Sequence, residues 1–236
     1  MQICILHIGF SQTPKSGDHL SSPERFMNLL SPFLPLAKWT TISAIKEVLP
    51  ENVSKFDAYI ITGGKYSVFE DYDWQFKLFN FIGDVYLKNI PLIGICYGHQ
   101  LLAHVLGGKV RRSENGWGIG VVELNIETNH SPKWLNPRKE KFNILSMHQD
   151  QVEELPKGAT NFLTSKFCPY SAYYIPRKVL AFQQHPEFTP ELCRDLILKR
   201  KEKIGMGYKV ALETLKKKTD GKILGQWMAE FLKVHC

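Results

Sequence analysis

The segment Pro91-Leu92-Ile93-Gly94-Ile95-Cys96-Tyr97-Gly98-His99-Gln100-Leu101-Leu102 constrains this chain more than any other. A short apolar run bounded by proline reads as a buried strand, and Leu101, Leu102, Val105 and Leu106 before Gly107-Gly108 read as a helix. Only a sharp turn separates the two, and Gly94 and Gly98 flank Cys96 at two residues on either side. A strand, a tight turn and a helix in direct succession form the nucleophile-elbow pattern, with sulfur in place of a serine oxygen. Glycines let the chain double back there and let a substrate approach. The positive helix end then faces the sulfur and favours its thiolate, while the amide of Tyr97 is turned outward toward a developing oxyanion.

Short β-rich runs at 2–8, 58–62 and 92–95 alternate with amphipathic stretches, including a predicted helix at 25–34 ended by Pro35. That is the pattern of a parallel sheet with crossover helices, hence an α/β fold. From Gly120 the runs at 121–126, 142–147, 171–175 and 179–183 have no long helix between them and read as antiparallel or mixed strands. Helical spacing returns at 190–203 and at 222–234, where Ile223, Trp227, Met228 and Phe231 recur on one face. With no repeat, linker or low-complexity segment, the expectation is one domain over 1–236 with a C-terminal helical extension from about 190.

A cysteine nucleophile needs an imidazole partner, and eight histidines are available. His99 and His104 are five apart on one helix, about 140° around its axis, so they share no face. His7, His19, His130 and His235 have no carboxylate pattern around them. His185 stands apart, because the run at 179–183 delivers it into Gln184-His185-Pro186-Glu187. Proline holds the preceding residue extended, and in extended chain residues i and i+2 share a side, so Glu187 can orient the His185 ring. Cys96, His185 and Glu187 then form a nucleophile, base and orienter. His148 is set aside on the expectation that no carboxylate lies two residues on along the same extended side.

Five cysteines with irregular spacing argue against a disulfide framework or a paired zinc site. The formal charge of +7 sits mainly in Lys199–Lys203 and Lys216–Lys218. These runs read as solvated helix faces without interleaved aromatics, so nucleic acid is not an expected partner. No apolar run approaches the roughly 20 residues of a membrane span. Met1-Gln2-Ile3-Cys4-Ile5 has no basic leader before it, so a cytoplasmic address is expected. Gly63-Gly64-Lys65-Tyr66-Ser67 fails as a phosphate loop, since Tyr66 follows the lysine and Tyr59 occupies the place of the first glycine.

Gly94-Ile95-Cys96-Tyr97-Gly98-His99-Gln100 and Gln183-Gln184-His185-Pro186-Glu187 together resemble the two signatures of class I glutamine amidotransferases, especially the GMP synthetase-like branch. Ile60-Ile61-Thr62-Gly63-Gly64 resembles the family loop that supplies a second oxyanion-hole amide, which would be that of Gly64 beside Tyr97. Met147-His148-Gln149-Asp150-Gln151-Val152 resembles the substrate-side loop, with Gln149 where glycine is common and Lys65 where proline usually follows the glycines. The resemblance covers roughly 1–190. It implies a flavodoxin-like three-layer fold with a mostly parallel central sheet and added antiparallel strands. It also implies substrate-binding roles for Gln100, Gln149 and Asp150, and cleavage of the glutamine side-chain amide through a cysteine thioester to glutamate and ammonia. No metal or organic cofactor is needed for that half-reaction. No segment after Glu187 resembles a synthetase, so a separate synthetase chain is one implied partner. Single-domain γ-glutamyl peptidases carry similar segments and are the first alternative. A non-catalytic binding module on the same fold is the second.

Overall fold

Four-residue apolar runs are too short for stable helices, and with both faces apolar they become the central strands of a covered sheet. The computed structural model of the protein describes residues 1–9, 19–46, 49–127 and 132–236; His130 lies outside them. In chain order its elements are β1 (Gln2–His7), α1 (Ser22–Leu30), β2 (Lys38–Ser43), β3 (Ala58–Ile61), α2 (Asp73–Leu87), β4 (Leu92–Ile95) and α3 (Tyr97–Val105). They continue with β5 (Lys109–Arg112), β6 (Gly118–Ile126), β7 (Lys141–His148), β8 (Asp150–Glu154), β9 (Thr160–Thr164), β10 (Ala172–Ile175) and β11 (Val179–Phe182). The last are α4 (Pro190–Lys199), α5 (Lys201–Ile204), α6 (Gly207–Thr214) and α7 (Gly221–His235).

Among the described residues, nine strands form one sheet in the order β2-β1-β3-β4-β11-β10-β9-β6-β7. The first five pair in parallel. From β11 onward every pairing is antiparallel, as the lack of crossover helices after Gly120 requires. The small β5–β8 pair stands apart. Ligand chemistry in such sheets gathers at the carboxyl ends of the parallel strands, where the chain following β3, β4 and β11 emerges.

One face of the sheet packs Ile3, Ile5, Ile60, Ile93 and Leu180 against Phe26 and Leu30 of α1 and Leu224, Trp227, Met228 and Phe231 of α7. The other packs Tyr59, Ile61 and Leu92 against Leu78, Phe81, Ile82 and Val85 of α2 and Leu101 and Leu102 of α3. This is the three-layer arrangement. The β6–β7 end carries its own cover, in which Cys193 and Ile197 of α4 and Ala211 of α6 pack on Val121, Leu145 and Met147.

Trp227 is fully buried, lies 4.9 Å edge-on to Phe142 and donates its indole N–H to the Pro137 carbonyl at 3.1 Å. Trp227→Ala is therefore expected to lower stability by about 3–5 kcal/mol, read as a lower denaturant midpoint. An unchanged midpoint would mean that α7 is dispensable to the core.

Two expected boundaries differ. The first helix begins at Ser22, where the Ser21 N–H donates to the Glu24 carboxylate at 2.7 Å, and it stops before Pro32 instead of Pro35. The expected helix at 190–203 is broken at Arg200, whose φ of −108° separates α4 from α5.

Candidate active site

Cys96 sits between β4 and α3 at φ 54° and ψ −101°, a backbone conformation that a side chain bearing Cβ rarely adopts. Such strain costs about 1–3 kcal/mol and persists only where the surroundings impose it. Here they do. A Cβ on Gly94 would overlap the Gly98 carbonyl oxygen, and one on Gly98 would overlap the carbonyl oxygen of Ile61. The two glycines flanking the cysteine are thus a steric requirement of the turn. The Cys96 amide is held by the Phe182 carbonyl at 2.8 Å, and its Sγ lies 4.0 Å from the Met147 carbonyl oxygen.

β11 ends beside β4, so the next residues cross in front of the thiol. The His185 amide donates to Leu145 of β7 at 2.8 Å, fixing the turn between the two halves of the sheet. Nδ1 of His185 meets Oε1 of Glu187 at 2.8 Å, with the two side chains 6% and 1% exposed. The Cys96 side chain stands near enough to act on the ring. Cys96, His185 and Glu187 are therefore brought together in the order the sequence suggested. Burial alone would push His185 down, but the charges of Glu187 and Cys96 and its hydrogen bond to Glu187 outweigh it and lift the imidazole to about 10. At neutral pH this ring is an imidazolium facing a sulfur.

The neighbouring histidines are held in the opposite state. His148 is buried, places Nδ1 3.0 Å from the backbone oxygen of Asp150, and is pushed by burial down to about 4. Burial takes His99 lower still, to about 3. One expectation is corrected here. Asp150 does stand two residues after His148, so that spacing does not separate His148 from His185. What separates them is where the carboxylate goes, because Asp150 turns to Arg112 Nε at 3.1 Å and to the Ser67 hydroxyl, away from the His148 ring.

The glycine loop after β3 closes another side. A Cβ on Gly63 would come 2.7 Å from Cε1 of His185 and 3.4 Å from Cβ of Cys96, so Gly63 borders both residues. Gly64 itself is packed on Ile8. Tyr97 opens α3, so its amide N–H has no partner within the helix. The loop is braced where it ends. Ser67 bonds Asp150, Arg112 Nη2 donates to the Ser67 hydroxyl at 3.3 Å, and Gln75 donates to the Ser67 carbonyl at 2.8 Å and to the Tyr97 hydroxyl at 2.9 Å.

The remaining expected site residues are not arranged alike. Gln100 is buried and its amide donates to the Asp150 carbonyl at 2.7 Å and to Gln183 at 3.1 Å, tying α3 to β8 and β11. Gln149 is half-buried, and its carbonyl accepts from the Ser113 amide at 2.8 Å. Three features escape a reading by motif. Phe188 stacks on His185 with ring centroids 3.9 Å apart and planes 14° apart. Arg25 of α1 places its guanidinium carbon 5.5 Å over the Phe188 ring. Arg200, within a basic run expected to face solvent, is partly withdrawn from it. Burial lowers its guanidinium while the charge of Cys96 acts the other way.

The family model of glutamine amidotransferase class-I matches residues 34–203. A glutamine amidotransferase-like protein of Schizosaccharomyces pombe is 32% identical over 149 residues, 62% of this chain and 59% of that protein. Gamma-glutamyl peptidase 4 of Arabidopsis thaliana is 30% identical over 165 residues, 68% of this chain and 66% of that protein. The chain thus spans less than two thirds of the length of either. A glutamine-hydrolyzing GMP synthase subunit of Saccharolobus solfataricus is 35% identical over 149 residues, 60% of this chain and 75% of that protein. A crystal structure of a glutamine amidotransferase from Thermotoga maritima shares the fold with a TM-score of 0.75 at 23% identity, covering 99% of this chain and 97% of that one.

Proposed function

Because the chain belongs to the class I glutamine amidotransferase family, we propose that it is a cysteine hydrolase that opens the side-chain amide of glutamine and releases glutamate and ammonia. The observation that carries the reading is Cys96 at a positive φ, with His185 beside it across Gly63 and hydrogen-bonded to Glu187. The Cys96 thiolate attacks the γ-carbonyl carbon, and the resulting oxyanion is met by the amides of Tyr97 and Gly64. The His185 imidazolium gives its proton to the departing nitrogen, ammonia leaves, and a γ-glutamyl thioester remains. The neutral imidazole then takes a proton from water, whose oxygen attacks the thioester and frees glutamate and the thiolate. Gln100, Gln149 and Asp150 act from the substrate side, Gln100 and Asp150 by holding the wall between α3 and β8.

A γ-glutamyl peptidase activity is the second reading, favoured by the similarity to gamma-glutamyl peptidase 4. The chemistry at the γ-carbonyl is the same and only the leaving amine differs. Bracing of the glycine loop through Ser67 by Asp150, Arg112 and Gln75 supports turnover without a synthetase partner. No described helix is long and apolar enough to cross a membrane. The cysteines are all free thiols, which supports action in the cytoplasm.

Incubating the purified chain with glutamine and, separately, with γ-glutamyl dipeptides while measuring ammonia and free glutamate tests both. Equal release of ammonia and glutamate from glutamine is the expected result. Faster glutamate release from the dipeptides assigns the second reading, and no release from either substrate assigns a binding module.

A further inference from the structure

The orienting carboxylate of the triad is only half accounted for. Oε1 of Glu187 is bonded to His185, but Oε2 is buried with no hydrogen-bond partner among the described residues. A buried carboxylate oxygen in that position is costly unless a charge compensates it. The Nε of Arg25 is likewise buried without a partner. The two groups feel each other. Burial lowers the Arg25 guanidinium, and the charge of Glu187 acts against that lowering.

Phe188 joins them to the base. Its ring lies parallel to His185 at 3.9 Å, and the guanidinium carbon of Arg25 lies 5.5 Å over the same ring. Arg25 is itself anchored, since its Nη1 donates to the Leu20 carbonyl at 2.5 Å and α1 is docked on the sheet by Phe26 and Leu30. Its cation therefore has a fixed place over the ring that stacks on His185. Residue 25 also lies outside the 34–203 stretch that matches the family, so the family pattern does not assign it.

We propose that Arg25 is a positioning residue of the triad: lying over Phe188, it is the counter-ion that holds the Glu187 carboxylate turned to Nδ1 of His185. The proposal rests on the triad reading above. Without the cation, the Oε2 side of Glu187 loses the charge that faces it, and the carboxylate is freer to leave the geometry in which it orients the ring. His185 then meets the thiol and the leaving nitrogen less often in line, so the chemical step slows while substrate binding is left alone.

The test uses the full chain with Arg25→Gln and Arg25→Lys. It reads kcat and KM, the rate at which a glutamine-analogue chloroketone alkylates Cys96, and the downfield NMR resonance of the proton between His185 and Glu187. Arg25→Gln is expected to lower kcat and the alkylation rate about tenfold with KM nearly constant, and to lose the resonance. Arg25→Lys is expected to recover most of both. Normal kcat and an intact resonance in Arg25→Gln overturn the proposal. So does an equal loss in both variants with the resonance kept, which assigns Arg25 to packing alone. If Arg25→Gln does not fold, Phe188→Leu decides, because removing the shared ring is expected to weaken the resonance and an unaltered one overturns the proposal. His185→Ala serves as the control. If it retains full activity, the triad reading has failed, whereas an inactive His185→Ala beside a normal Arg25→Gln sinks only the role of Arg25.

Discussion

Cys96→Ala is expected to abolish turnover, with a loss of about 10⁴-fold or more, since no other group can form the thioester. A glutamine-analogue chloroketone should label Cys96 and leave the other cysteines unmodified. The physical contrast among them is large. Burial raises Cys168 and Cys193 to about 12, and each is closed off from solvent. Cys236 is exposed, but partial burial, followed by the nearby Asp57 carboxylate, raises it to about 11, so it remains a thiol at neutral pH. Cys96 has the raised His185 imidazole beside it and a helix N-terminus behind it. A peptide map of the labelled protein reads the outcome. An adduct on Cys236 or any buried cysteine, with Cys96 untouched, would sink the assignment.

His185→Ala should lower the rate of acyl-enzyme formation by about 10²–10⁴-fold, measured as the burst of product in a single turnover. Glu187→Gln should be milder, because a neutral amide can still orient the ring, and His148→Ala milder still. The pH profile supplies a second measurement. His185 is raised above its ordinary value, so the imidazolium is present at neutral pH and is lost as pH rises through about 10. Activity should fall along that alkaline limb. The Glu187 charge is the largest of the raising causes, so in Glu187→Gln the limb should move to lower pH. Its stability counterpart has the same sign, with the gain complete below about 6.5 and lost as pH rises through the folded value. An inactive His148→Ala beside a nearly normal His185→Ala would reverse the roles.

The grouping of Cys96, His185 and Glu187 was legible because each lies in a segment whose local geometry is dictated by its neighbours. Glycines either side of Cys96 and proline after His185 restrict the backbone regardless of the rest of the chain. The buried strands at 58–61 and 92–95 announce themselves by continuous apolar character. Other elements do not. β2, Lys-Trp-Thr-Thr-Ile-Ser, is an edge strand with little buried surface, and its character comes from pairing with β1. α2 carries three Phe together with Trp, Ile, Val and Tyr, which fit strand as well as helix. β5 and β8 pair across almost forty residues, a contact that no local pattern encodes. The same limit hid Arg25, Phe188 and Arg200 from the site. Their relation to His185 or Cys96 arises from helix docking, and the basic run around Arg200 gives no sign that one of its members turns inward. Gly63 borders Cys96 and His185 while Gly64 packs on Ile8, which is a matter of where the loop runs after β3.

The placement of α7 sets an order of events during synthesis. A Cβ on Gly221, at its first turn, would come 2.5 Å from the Pro186 carbonyl oxygen, and one on Gly225 would come 2.7 Å from Leu29 of α1. The helix thus rests at once on the turn that carries His185 and Glu187 and on the helix that carries Arg25. It is translated after all of them. While the ribosome is still making α4 to α6, the apolar face shared by β1, β3 and β4 has α1 but not α7 upon it, and the turn between His185 and Glu187 lacks its backing. The nascent chain therefore holds Cys96, His185 and Glu187 before it holds the helix that backs the turn between two of them.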